Sequence, residues 1–85
     1  LSNLKVDVSY EHGVAITPSD TVAISHPSGQ TYTKAVYVGT TGNITAIMAD
    51  SSSVLFSNVP VGFHTISVTR ILSTGTTASN LVALY

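Results

Sequence analysis

The sequence predicts an all-β domain, a small antiparallel β-sandwich or barrel-like fold preceded by an N-terminal arm. Val, Ile and Thr, which suit a pleated and half-buried surface, recur along the whole chain. Gly, Asn, Ser and Pro interrupt them at short intervals, the spacing of turns between short strands. Several segments alternate apolar and polar residues with a period of two, while helix signals are nearly absent.

Residues 4–9 alternate Leu4, Val6 and Val8 against Lys5, Asp7 and Ser9, as a strand does or an arm that adds to a neighbour. Residues 1–12 are read as that arm and residues 13–85 as the β-domain. Residues 13–17 form a second apolar stretch, closed by Pro18. Thr17-Pro18-Ser19-Asp20 is a turn, because Pro presets φ and Ser and Asp bond nearby backbone. A short segment at 21–25 leads to a further turn, His26-Pro27-Ser28-Gly29. Residues 33–39 predict a strand with Ala35 and Tyr37 on one face and Val36 and Val38 on the other. Thr40-Thr41-Gly42-Asn43 reads as a hairpin connection to a partner strand at 44–49. After the polar turn Asp50-Ser51-Ser52-Ser53, residues 54–57 form the next strand. Asn58-Val59-Pro60-Val61-Gly62 turns again, with Gly62 free to take positive φ. Residues 63–71 carry the clearest alternation: His64, Ile66, Val68 and Arg70 against Phe63, Thr65, Ser67, Thr69 and Ile71. A loop at 73–77 precedes a final strand at 80–85 that is apolar on both faces. Such a strand at an open edge would invite aggregation, so it is expected in the middle of a sheet or at a subunit interface.

Eighty-five residues make one domain. A domain this small buries only about 60% of the surface its unfolded chain exposes, which leaves a thin margin of stability. There is no cysteine, so neither a disulfide framework nor a thiolate metal site is available. Only 8% of the residues are charged although apolar content is ordinary, a composition that suits a subunit whose surface neighbours cover. Self-association is the expected extra source of stability. The formal net charge is −1, and Lys5, Lys34 and Arg70 are far apart in sequence, so no nucleic-acid partner is expected. No apolar run approaches the roughly 20 residues of a membrane-spanning helix, and residues 1–5 lack the apolar core of a signal peptide. No membrane partner is expected.

No catalytic motif is present: there is no G-x-S-x-G, no phosphate loop and no H-E-x-x-H. Serines are abundant for surface reasons, so no enzyme activity, catalytic residue or cofactor is expected. His12, His26 and His64 lack ligand spacing, and no metal is expected. Asn43-Ile44-Thr45 matches a glycosylation sequon but reads as a turn Asn followed by strand residues. Among the tyrosines, Tyr85 is either an interface anchor or a ring packed across its own sheet. The interface candidates are Leu4, Val6, Val8 and Tyr10 near the N-terminus, and Leu81, Val82, Leu84 and Tyr85 in the final strand.

Four blocks resemble a known family. They are Ile16-Thr17-Pro18-Ser19-Asp20-Thr21; Val36-Tyr37-Val38-Gly39 with Thr41-Gly42-Asn43-Ile44; residues 54–62, which end in Pro60-Val61-Gly62; and residues 68–78 running into Leu81-Val82-Ala83-Leu84-Tyr85. In order and spacing they are similar to the head spike-base and capsid decoration proteins of tailed phages and gene transfer agents. The similarity spans residues 13 to 85; residues 1–12 are outside it, and Phe63-His64-Thr65-Ile66 departs from the family's pattern. The resemblance implies a virion protein on the capsid surface that acts as cement or as the base of a head spike. Its implied partners are its own copies, in a trimer or pentamer, the major capsid protein and a spike or fibre protein. A carbohydrate- or receptor-binding module of a tail fibre or spike, with Tyr10 or Tyr32 as stacking groups, is the alternative expectation.

Overall fold

A computed structural model describes residues 10–85. Its strands are β1 (Gly13–Ala15), β2 (Ala35–Thr40), β3 (Gly42–Met48), β4 (Ser53–Val59), β5 (Gly62–His64), β6 (Val68–Ile71) and β7 (Ser79–Leu84). They form two sheets, one of four strands in the order β1-β7-β2-β5 and one of three in the order β4-β3-β6. Every pairing is antiparallel. The fold is an all-β sandwich, as composition and punctuation predict.

The core lies between the sheets and is supplied by alternate residues of each strand. Val36 and Val38 on β2 and Leu81 and Ala83 on β7 face Ile44 and Ala46 on β3 and Val68 and Ile71 on β6; each is at most 3% exposed. The final strand is central, held between β1 and β2 with Gly13 and Ala35 both opposite Leu84. That placement satisfies its backbone on both sides, which the edge argument requires.

Two readings are corrected by the way the chain moves between sheets. Residues 40–43 are not a hairpin, and β3 is not the partner of β2. The extended chain passes from β2 into β3 through Thr41 alone and changes sheets as it does so. A strand that turns a sandwich corner carries the same small and polar residues as a hairpin, so the local pattern does not separate the two. Gly42 is required at this corner by close approach: a Cβ there would lie 2.4 Å from the Ala78 nitrogen.

The alternation over 63–71 is not one strand either. It splits into β5 in the four-stranded sheet and β6 in the three-stranded sheet. In β6, Met48 pairs with Val68 and Ile47 with Arg70, so Thr69 is an extra residue, a β-bulge. The bulge reverses the side-chain phase, which brings Val68 and Ile71 into the core together. A second bulge in β4 places Asn58 at φ 54, and its N–H donates to Asn43 Oδ1 at 2.9 Å.

Turn chemistry follows the sequence more closely. Ser19 Oγ accepts the N–H groups of Thr21 and Val22. Asp50 Oδ1 accepts from the Ser52 N–H and hydroxyl in the β3–β4 hairpin. Gly62 stands at φ 137 after Pro60-Val61, a conformation that side chains resist. Residues 21–25 form no strand. The segment between β1 and β2 instead runs along the outer edge of β6, donating Ser19 N–H to Ile71 O, Ile24 N–H to Thr69 O and Thr33 N–H to Val68 O. Thr33 is fully buried, and its hydroxyl donates to Ile66 O at 2.9 Å and accepts from Val68 N–H at 3.1 Å.

Candidate functional site

The two faces of the four-stranded sheet differ in a way that defines the candidate site. Its inner face is the core. Its outer face carries a registered row, Ala15, Val82, Tyr37 and Phe63, because Val82 pairs with both Ala15 and Tyr37, and Tyr37 pairs with Phe63. The next row on the same face is Gly13, Leu84 and Ala35. Neither row contains a charged side chain. Phe63 is 65% exposed, while Tyr37, Val82 and Leu84 are half-buried.

Aromatic rings extend this face. Tyr37 and Phe63 meet at 5.0 Å between centroids with their planes tilted by 57°. Tyr10 stacks on Phe63 at 6.4 Å and 16°. Immediately after Tyr10 the chain joins the edge of the sheet: Glu11 N–H donates to Tyr85 O, and Tyr85 N–H donates to His12 O. Rings of this kind bring large apolar area with little loss of side-chain freedom, and patches of them mark contact surfaces.

The structure therefore brings Tyr10, Val82 and Leu84 onto one outer face and sends Leu81 and Tyr85 to the other side of the sheet. Leu81 (3% exposed) and Tyr85 (7%) belong to the subunit's own core and offer a neighbour almost no side-chain surface. Leu4, Val6 and Val8 lie outside the described residues. Tyr37 and Phe63 complete the face and were not among the sequence candidates. The signal for Phe63 was its position on the Thr65, Ser67 and Thr69 side of the alternation, an aromatic among polar residues.

Tyr85 takes the second of its two readings. Its hydroxyl donates to His26 Nδ1, and the two rings meet edge to face at 5.5 Å. Thr69 O, 3.2 Å from His26 Nε2, can only accept, so Nε2 carries a hydrogen, and in the neutral ring Nδ1 is then the acceptor. Burial pushes the Tyr85 phenol above its ordinary value of 10.0, which keeps it a neutral donor. The network ties the segment between β1 and β2 to the end of β7.

The other histidines are held separately: His64 Nε2 donates to Pro60 O at 2.8 Å, and the His12 ring lies 6.1 Å from the Tyr85 ring. Among the described residues no group of three His, Asp or Glu stands close enough to hold a metal ion. Asn43, the sequon residue, is engaged through its side chain by Asn58 N–H and through its carbonyl by Thr77 N–H and Ala78 N–H. Tyr32 is exposed and, among the described residues, has no aromatic ring against it.

Fold and surface together define a small β-sandwich that presents one uncharged aromatic and aliphatic face. No family model and no curated protein matches the chain. Among solved structures, a chain in the capsid of a native gene transfer agent (GTA) particle, computed with C5 symmetry, is similar over 99% of this chain and 95% of that one. The TM-score is 0.76 and the identity 22%, which establishes a shared fold.

Proposed function

We propose that the protein is a structural subunit of a virion, placed on the capsid exterior as a cement or decoration protein or as the base of a head spike. The observation that carries this reading is the outer face of the four-stranded sheet, where Tyr37, Phe63 and Val82 sit in one row and Leu84 in the next with no charge among them. In a chain with so few charged residues, such a face is best covered by another protein surface. The first partner is a further copy of the chain, in a trimer or pentamer. The second is the major capsid protein, with a spike or fibre protein bound above it. Two further facts support the reading. The fold extends over nearly the whole of a chain from a GTA capsid, and the blocks that resemble head spike-base proteins are spread over residues 13–85.

The action is passive: burial of apolar strand faces, with no bond made or broken. Repetition around a ring turns weak single contacts into firm attachment through effective concentration. Light scattering on the chromatographed protein at micromolar concentration, with co-sedimentation on capsids that lack it, tests the proposal. The expected mass is that of three or five subunits of 8.8 kDa, bound to the capsid pellet. A monomer that stays in the supernatant overturns it.

A further inference from the structure

The outer face of the three-stranded sheet differs in kind from that of the four-stranded one. Ile44 and Ala46 enter the core from β3, so Thr45 and Ile47, which alternate with them, point outward. Register then builds two rows. Leu55 stands opposite Thr45, while Ser53 and Arg70 flank Ile47 from either side. Leu55 is 56% exposed and Ile47 is half-buried. Arg70 is the one charged side chain in these rows.

The Arg70 side chain is half-buried, with its Nε covered from solvent and without a hydrogen-bond partner. A charged donor withdrawn from water in this way is costly unless a counter-charge stands close by. The described carboxylates do not supply one. Asp20 accepts from the Thr74 N–H and hydroxyl, and Asp50 accepts from Ser52. Glu11 lies at a recess it shares with Lys34 beside Tyr85, on the four-stranded sheet. With its stem packed on the sheet, the guanidinium is also partly ordered before any partner arrives, so less freedom is lost on pairing. Such a group recognises a carboxylate through two parallel N–H···O bonds. Leu55 and Ile47 beside it supply the apolar surround that excludes water from such a pair.

We infer that this face docks a different protein, one that presents an aspartate or glutamate among apolar side chains. The inference rests on the reading of the chain as a capsid-bound subunit, and it assigns the surface that meets the capsid protein. Copies of the chain meet through the uncharged aromatic face, and the shell is met through Arg70. The two faces lie on opposite sides of the sandwich, so both contacts form at once. A second copy is the poorer partner here, because two of its described acids are already held within their own subunit.

Co-sedimentation with capsids that lack the protein, read alongside light scattering, tests the assignment in the full chain. Arg70→Glu is expected to keep the parent's oligomer mass and to bind capsids at least about tenfold more weakly. Arg70→Lys places an amine at the same position, and carbodiimide treatment of the capsid complex should join it to an acid of the capsid protein. Leu55→Glu, at an exposed position on the same face, is read in the same way should Arg70→Glu fail to fold. Parental capsid binding by the folded charge variant overturns the inference. So does loss of the oligomer in that variant, or a cross-link from position 70 to an acid of this chain, since the face would then serve the chain's own copies. In these cases the virion reading survives. A parent protein that stays in the supernatant instead removes the reading on which the inference rests.

Discussion

Phe63→Ala separates the proposed contact surface from the fold. A phenylalanine presents about 200 Å² for burial, and 65% of the Phe63 side is open in the subunit. Covering that part in an interface removes about 130 Å² from water, worth about 3 kcal/mol at about 25 cal/mol per Å². The loss corresponds to a roughly 100-fold weaker association per contact. Within the subunit the ring contributes its smaller covered part and its contacts with Tyr37 and Tyr10, about 1–2 kcal/mol. The variant is therefore expected to fold, with its melting temperature lower by about 5–15 °C, and to dissociate at concentrations where the parent remains assembled. Sedimentation velocity over a dilution series, alongside calorimetry, reads both quantities. A variant that melts lower yet assembles with the parent's affinity refutes the argument, because Phe63 would then act only inside its own subunit.

Other perturbations address the core, a turn and one charge. Ile71→Ala, at a site 1% exposed, should lower stability by about 2–5 kcal/mol in urea unfolding; a loss under 1 kcal/mol would mean the Thr69 bulge does not deliver Ile71 to the core. Gly62→Val and Gly62→Ala should each cost about 1–3 kcal/mol through backbone strain at φ 137. An added Cβ meets nothing within 4 Å there, so parental melting in both variants would remove the positive-φ assignment. Asp20 is held below its ordinary value of 3.8, first by the Thr74 hydroxyl and then by the Thr74 N–H. A depressed folded pKa means that its contribution is present above that ordinary value and disappears as acidification carries the pH through the lower folded value. Melting curves between pH 5 and pH 2 should therefore fall less steeply for Asp20→Asn than for the parent, and identical acid slopes would count against the pairing.

Where the sequence reading succeeded and where it failed has a physical pattern. Local chemistry was legible: the Asp50-Ser51-Ser52 hairpin, the Ser19 turn and the φ of Gly62 depend on residues next to one another. The central position of β7 was legible as one of two placements, mid-sheet or subunit interface, because an apolar strand at an open edge invites aggregation. The corner at Thr41 was not, since strand, small polar residues and strand describe a hairpin and a sheet crossing equally. The Thr69 bulge was hidden for a related reason. Arg70 and Val68 share one side in strict alternation, and only the partner strand β3 decides that a residue is skipped. The same limit shaped the site. Tyr37 was assigned to the face opposite Val36 and Val38, which is where it lies, but nothing local says which of those faces looks outward. Leu81 and Leu84 looked alike along the chain, and register against β2 put one in the core and the other on the surface.

Among the described residues β1 pairs only with β7. Gly13 waits for Leu84, about 70 residues later in synthesis, and β2 lacks its inner neighbour until the same moment. The four-stranded layer cannot close while the ribosome still holds that segment. Contacts this distant along the chain also slow folding once release has occurred. A polypeptide organised in this way acquires its outer-face row only after translation has passed Leu84. Partly made chains therefore never display the finished row on which Tyr37, Val82 and Phe63 stand together.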